Sequence, residues 1–288
     1  MERVLRGGGV LLLFGLLAAP AVSDAQEFSR AVIDSFDAPG ERPFGIEWVQ
    51  DLGVMYVVDE WSSLVHSIEP DGTATLLFDI VDVMGFNPGA PAGNSICYVP
   101  ATAGRDGTIF IGDTGGPGVP PYRDLVYEFT TDGTWLNTWD VETQCGSGYL
   151  SGITFDGSFF WLNCGYYIVK CDEDFNLIES FVNPAGPSTQ GGLDYDADLN
   201  VMYIGHYDLG PGLGAEIYVV DLSDFSTVDV MGTRVRDMCG VSIGRPPGAR
   251  DHTLWITSRE TGRVYEIEDE YDTPVEGGSW STVKALYR

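Results

Sequence analysis

Four short segments of this chain end in a residue able to ligate a metal ion. "YVVD" ends at Asp59, "FIGD" at Asp113, "WLN" at Asn163 and "YIGH" at His206, and a fifth, "WITS", ends at Ser258. Two carboxylates, an amide and an imidazole meeting around one axis would suit a divalent ion, Ca2+ above all. The same residue types also cap turns by accepting backbone N–H groups, which needs no ion. Both readings are carried forward.

Two more carboxylates follow a small residue and an aliphatic one: Glu47 in "GIEWV" and Asp194 in "GLDYD". A carboxylate in such apolar company needs a partner, a proton, an ion or water. Arg42, Arg234, Arg236 and Arg259 could hold a carboxylate or phosphate, since planar guanidinium groups match those anions. Each lies near an acid (Glu41, Asp237 or Glu260), so local ion pairing is the competing reading. Trp61, Tyr122, Tyr166, Tyr167 and Tyr207 could form an aromatic rim for a sugar or a peptide.

Other chemistry finds no support in the chain. His66, His206 and His252 are its only histidines. There is no nucleophile elbow, no His-Glu-x-x-His and no plausible triad. The Gly-rich segments 113–124 and 206–216 lack phosphate-loop spacing. "DEDFN" and "DYDADLN" imitate calcium loops without the Gly and distal Glu of an EF-hand.

The elements that must position these residues form a repeat. Each "YVVD"-like strand is preceded by a run with a small residue before an aliphatic one: "FGIEWV", "NSICYV", "SGITFD", "GGLDYD" and "CGVSIG". A third strand follows each time ("LVHSIEP", "LVYEFTT", "IVKCDED", "IYVVDLS", "RVYEIED"), and four copies continue into a fourth. The copy without one is the last, and the N-terminal "AVIDSFDAP" carries "IDSF", close to the outer-strand "IESF". Strand clusters at this spacing predict an all-β, five-bladed β-propeller of four-stranded antiparallel blades, closed by the N-terminal strand. Six blades is the alternative.

In that fold the first strand of each blade lines the central channel, so Glu47 and Asp194 become channel residues. The ends of the second strands gather on one face, here called the top, together with the arginines and the aromatic rim. Cys145 enters the third blade at its top and Cys164 ends that blade's second strand, making them the expected disulfide. Cys97, Cys171 and Cys239 fall inside strands and read as buried thiols.

Residues 1–25 carry two arginines, an apolar run and a small-residue end, the pattern of a secretory signal peptide. The propeller is expected over 26–278. "SWSTVKALYR" (279–288) has helical spacing and reads as a short amphipathic plug or an attachment tail. The net charge of −28 makes nucleic acid and anionic membrane surfaces poor partners. No run after the leader is long enough to cross a membrane.

The first copy, "RPFGIEW…GVMYVVDEWSSLVHSIEPDG", resembles the NHL-type repeat, and the chain resembles the extracytoplasmic NHL, TolB-like and gluconolactonase-like propellers. The resemblance implies Asp at the second-strand ends as turn chemistry. In gluconolactonase-type propellers a Glu just before the inner-strand Gly binds metal; Phe44, Asn94, Ser151, Gly191 and Cys239 stand there, against that activity. "LSGITFDGSFFWLN" is loosely similar to the five-bladed glutaminyl cyclases. The expectation is an exported, periplasmic or extracellular, monomeric propeller. It would bind a small anionic or sugar-like ligand, or a protein or peptide, on its top face without catalysis. The alternatives are a metal-assisted hydrolase or lyase and a surface-attached structural module.

Overall fold

Short aromatic and β-branched runs between Gly, Asp and Pro favour strands joined by tight turns. The computed structural model describes residues 31–85, 93–102, 106–114, 123–146, 149–186, 191–207, 214–245 and 252–268. The leader, the C-terminal segment and Tyr122 lie outside the described residues.

The first strand, β1 (Val32–Asp37), belongs to the last blade. Blade I is β2 (Pro43–Val49), β3 (Val54–Asp59), β4 (Leu64–Ile68) and β5 (Ala74–Asp79). Blade II is β6 (Ser95–Val99), β7 (Thr108–Asp113), β8 (Leu125–Thr130) and β9 (Trp135–Asp140). Blade III is β10 (Gly152–Phe155), β11 (Phe160–Asn163), β12 (Tyr167–Cys171) and β13 (Leu177–Val182). Blade IV is β14 (Leu193–Asp196), β15 (Val201–His206), β16 (Glu216–Asp221) and β17 (Ser226–Gly232). Blade V takes β18 (Met238–Gly244), β19 (Thr253–Ser258) and β20 (Arg263–Glu268), and its fourth strand is β1.

All these pairs are antiparallel, and β1 meets β20 through Phe36↔Val264 and Asp37↔Arg263. The chain is therefore a five-bladed β-propeller whose N-terminal strand closes the ring. Closure spares blade V an unpaired inner edge, the kind of edge that invites aggregation.

Burial falls from the axis outward. Every residue of β2 and β7 is buried, whereas the outer strands β5, β9 and β13 are largely exposed. Aromatic pairs fill the wedges between neighbouring blades. Trp48 stacks on Trp255 between blades I and V, with centroids 5.9 Å apart and planes 5° apart. Phe78–Phe129, Phe110–Phe160 and Phe181–Phe225 do the same between blades I and II, II and III, and III and IV. Each such side chain contributes on the order of 1.5–3 kcal/mol by burial.

Two single-turn helices sit on the top face where the sequence suggested no helix. In α1 (Ile80–Met84), Asp79 caps the start by accepting from Val81 N at 2.8 Å, and Gly85 ends it in the left-handed region at φ 70°. In α2 (Glu142–Cys145) the last residue is the disulfide cysteine. Both are too short for a hydrophobic period, so only their caps could have announced them.

Candidate functional site

The inner strands come together at one layer. Gly45, Ser95, Gly152, Gly192 and Gly240 line a waist whose void is about 10 Å3. That is at most the space of a single water molecule. A Cβ on Gly240 would stand 2.4 Å from Phe44 O, and one on Gly192 2.7 Å from Val241 N. Small residues recur before the aliphatic position because backbones of adjacent blades touch there. The channel is thus divided into a top half and a bottom half.

Side chains alternate along a strand, so the residue two positions on faces the same channel. Below the waist those residues are Glu47, Cys97, Thr154, Asp194 and Ser242, all buried. Asp194 is their hub. It accepts from Thr154 Oγ1 (3.1 Å, blade III), Ser242 Oγ (2.8 Å, blade V), Ile243 N (2.7 Å) and Tyr195 N (2.7 Å). Ser242 Oγ in turn accepts from Trp48 N of blade I at 2.7 Å.

Glu47 is supported differently. A backbone N–H from Tyr98 reaches its carboxyl, but Oε2 is buried with no hydrogen-bond partner among the described residues. Burial first, then the nearby charge of Asp194, pushes Glu47 well above the usual carboxylate range. Burial also lifts Asp194 to about 6, against the pull of its hydrogen bonds. Burial and mutual repulsion thus act on both carboxyls in one direction, disfavouring two charges in this layer. Burial, followed by the neighbouring Glu47 and Asp194 carboxyls, pushes the Cys97 thiol well above its ordinary value, which argues against a nucleophile.

Both carboxyls line a cavity of about 240 Å3 that opens on the bottom face. Trp48, Phe155 and Tyr195 also line it. Its rim is built from the turns between first and second strands of blades I, IV and V. His252 Nδ1 lies 3.1 Å from Asp196 Oδ2, and its Nε2 lies 3.7 Å from Asp198 Oδ2, which Arg245 also approaches at 3.6 Å. Burial alone would raise Asp196, but bonds from His252 and from the Leu199 and Asp198 amides outweigh it and hold the carboxyl below its ordinary value. Gln50 accepts from Trp48 Nε1 at 3.0 Å and donates to Arg245 O at 3.3 Å. The rim charges are paired with one another. Those of the floor are not.

On the top face, the second-strand ends each turn to their own surroundings. Asp59 accepts from Arg42 N (2.6 Å), Trp61 N (3.0 Å) and Ser62 N (2.7 Å). Asp113 accepts from Tyr127 OH at 3.3 Å. Asn163 donates to Gly191 O (2.8 Å) and accepts from Gly165 N (3.1 Å) and Asn183 Nδ2 (3.2 Å). Ser258 donates to Arg236 O at 2.7 Å. Burial lowers the pKa of His206, whose Nδ1 has no partner among the described residues, and its ring meets Tyr218 edge-on. Among the described residues no three His, Cys, Asp or Glu are arranged to hold a metal ion, so Asp59, Asp113 and His206 do not converge as one. Turn capping accounts for Asp59 in full.

The arginines expected at the closing seam divide into two kinds. Arg259 donates to Asp237 through Nε (3.1 Å) and Nη2 (3.2 Å), donates from Nη2 to the Tyr207 hydroxyl at 3.0 Å and reaches Glu60 at 3.7 Å. Arg42 lies 3.8 Å from Glu60 and 5.1 Å over the Trp61 ring. These contacts tie blades IV, V and I together. Arg234 and Arg236 are exposed, and no ion pair engages them among the described residues. Trp61, Tyr166 and Tyr167 are exposed on the same face. Cys145 and Cys164 are joined in a disulfide 19 residues apart in sequence, and Cys97, Cys171 and Cys239 are buried free thiols.

Solved structures of the same architecture are similar to this chain. A gluconolactonase from Xanthomonas campestris matches with a TM-score of 0.50 at 15% identity, over 83% of this chain and 98% of its own. A luciferin-regenerating enzyme matches with a TM-score of 0.51 at 10% identity, over 82% and 95%. Streptogramin B lyase follows with a TM-score of 0.44 at 13% identity, over 82% and 96%. The likeness is one of fold. No family model matches the chain, and no curated protein does.

The bottom rim was missed by sequence reasoning. Gln50, Asp196, Asp198, Arg245 and His252 sit in turns that the repeat already places on the face opposite the "YVVD" ends. The signal available was the period of two from Gly45 to Glu47, continued into those turns.

Proposed function

We propose that this propeller is a binding module for a small polar ligand taken up in the bottom-face cavity over Glu47 and Asp194. One observation carries the reading: a wholly buried carboxyl, with Oε2 unpartnered, lines an open cavity. An unsatisfied buried polar atom costs about 1–3 kcal/mol, which a ligand donor would recover. The cavity is smaller than the roughly 300–1,000 Å3 of drug-sized pockets, so the ligand is of metabolite size. Proton transfer between the paired carboxyls and a bound molecule would be the catalytic form of the same reading.

The second reading is an anionic or peptide ligand on the top face. Exposed Arg234 and Arg236, with Trp61 and Tyr166 on the same face, favour it. Arg259 and Arg42 already face carboxylates, which weakens it. Export is part of the proposal: a disulfide belongs in an oxidising compartment, in keeping with the leader-like residues 1–25.

The test is a thermal-shift screen of small polar compounds, with hits measured by calorimetry on Glu47→Leu and on Arg234→Ala/Arg236→Ala. Loss of binding in Glu47→Leu alone supports the cavity. Loss in the double arginine variant alone overturns it in favour of the top face.

A further inference from the structure

The cavity's chemistry selects among polar ligands. Its rim acids are matched by rim bases: Asp196 by His252, and Asp198 by His252 and Arg245. No ion pair reaches Glu47 or Asp194 among the described residues, so the floor keeps its negative charge uncompensated by any cation. Asp194 spends its oxygens on four donors, whereas Glu47 Oε2 has none. An incoming donor would therefore meet Glu47 first and the charge of Asp194 close behind it.

The walls add a second preference. Trp48, Phe155 and Tyr195 line the cavity; the Trp48 indole N–H is bonded to Gln50 and its ring is stacked on Trp255, so Phe155 and Tyr195 are the rings with most left to offer. Aromatic rings attract cations through their π-face quadrupole. Acids below and aromatic rings around suit an organic ammonium. A divalent metal ion would want a third carboxylate or imidazole within reach, and no such group of three stands among the described residues. The net charge of −28 acts in the same direction, raising the local concentration of cations and opposing anions.

We propose that the bottom-face cavity is a site for a small organic ammonium ion, received by Glu47 and Asp194 at its floor and by Trp48, Phe155 and Tyr195 at its walls. The assignment rests on the cavity being the binding site. It differs from that reading in naming charge and aromatic contact, rather than hydrogen bonding alone, as the basis of selection.

The experiment is calorimetry of the purified protein with pairs of near-isosteric probes. These are choline against 3,3-dimethylbutan-1-ol, and butylamine against butan-1-ol, with acetate as the anion. At least one ammonium probe should bind at least tenfold more tightly than its neutral partner. Asp194→Asn, which removes the floor charge, should remove about tenfold of that affinity at neutral pH, and Phe155→Leu several-fold, with the far-ultraviolet spectrum unchanged. Equal binding of the neutral partner, still abolished by Glu47→Leu, overturns the ammonium assignment and keeps the cavity as the site. Binding of acetate alone, or of none of the probes while another polar compound binds at Glu47, also overturns it. If nothing that binds depends on Glu47, both readings fall.

Discussion

Ser242 Oγ donates to Asp194 Oδ2 at 2.8 Å across the boundary between blades V and IV, while accepting from the Trp48 amide of blade I. With Thr154 bonding the other oxygen from blade III, one carboxylate is held by three blades and, through Ser242, leans on a fourth. The floor of the cavity is thus also a tie across the ring.

That tie should be visible in the pH dependence of stability. The folded Asp194 carboxyl is raised from 3.8 to about 6, so between those values the native state binds more protons than the unfolded chain. The stability it contributes is complete below pH 3.8 and is lost as pH rises through about 6. In urea titrations, Asp194→Asn should be the less stable protein at pH 4, by on the order of 1–3 kcal/mol for its lost acceptor. The gap should narrow by a similar amount by pH 7. Parallel curves would remove Asp194 from this role.

Glu47 has the same sign with a window at higher pH, because burial and the Asp194 charge raise it well above the ordinary range. Glu47→Gln imitates the protonated acid. It should leave the melting temperature at pH 4 within about 2 °C of the parent, and exceed the parent increasingly as pH rises above 4.5, the ordinary value, toward the raised value of the folded carboxyl. A variant that melts far lower at both ends would show an ionised, stabilising Glu47 instead.

The waist should refuse a side chain. Gly240→Ala puts a methyl 2.4 Å from Phe44 O, where only backbone could give way. We expect a loss of about 2–3 kcal/mol in chemical denaturation. Ser95→Ala, in the same layer, removes a buried hydroxyl without a partner among the described residues and should cost less than about 1 kcal/mol. Comparable losses from both would mean the layer is not in backbone contact.

Arg259 should matter to the seam more than Arg42 does. Its paired contact with Asp237 and its bond to Tyr207 are partly buried. Arg259→Ala should cost roughly 2–3 kcal/mol, and Arg259→Lys most of that, since an ammonium cannot span both oxygens. Arg42→Ala should cost under about 1 kcal/mol, as exposed pairs do. Equal effects in urea unfolding would refute the distinction.

Replacing both Cys145 and Cys164 by Ala opens a loop whose ends lie 19 residues apart. A stability loss of about 3 kcal/mol is expected in non-reducing denaturation. The reduced parent should match the variant, and a parent indifferent to reductant would argue against the bond.

Much of the architecture was legible in local pattern. The recurrence of "YVVD"-like strands gave the blade count, and the near-identity of "IDSF" and "IESF" gave the closing strand. These features follow from strand hydrogen bonding and alternating burial, which are written in a few adjacent residues. The ring of strand ends was legible in position but not in use. Whether Asp59 faces an ion or its own turn depends on where the Trp61 and Ser62 amides point, which no spacing records.

The sequence by itself pointed to five blades, with six as the alternative, to the strand that closes them, and to Glu47 and Asp194 as channel residues. Only the tertiary structure decided that the glycine layer pinches this channel and that the cavity over Glu47 and Asp194 opens at the bottom. It also decided that Arg259 is spent on Asp237 while Glu47 Oε2 is left without a partner. The physical reason is distance along the chain. Ser242 and Asp194 are 48 residues apart, and Thr257 and Phe44, which bond across the seam, are 213 apart. Such contacts are fixed by how closely blades pack around an axis, and no local period encodes that.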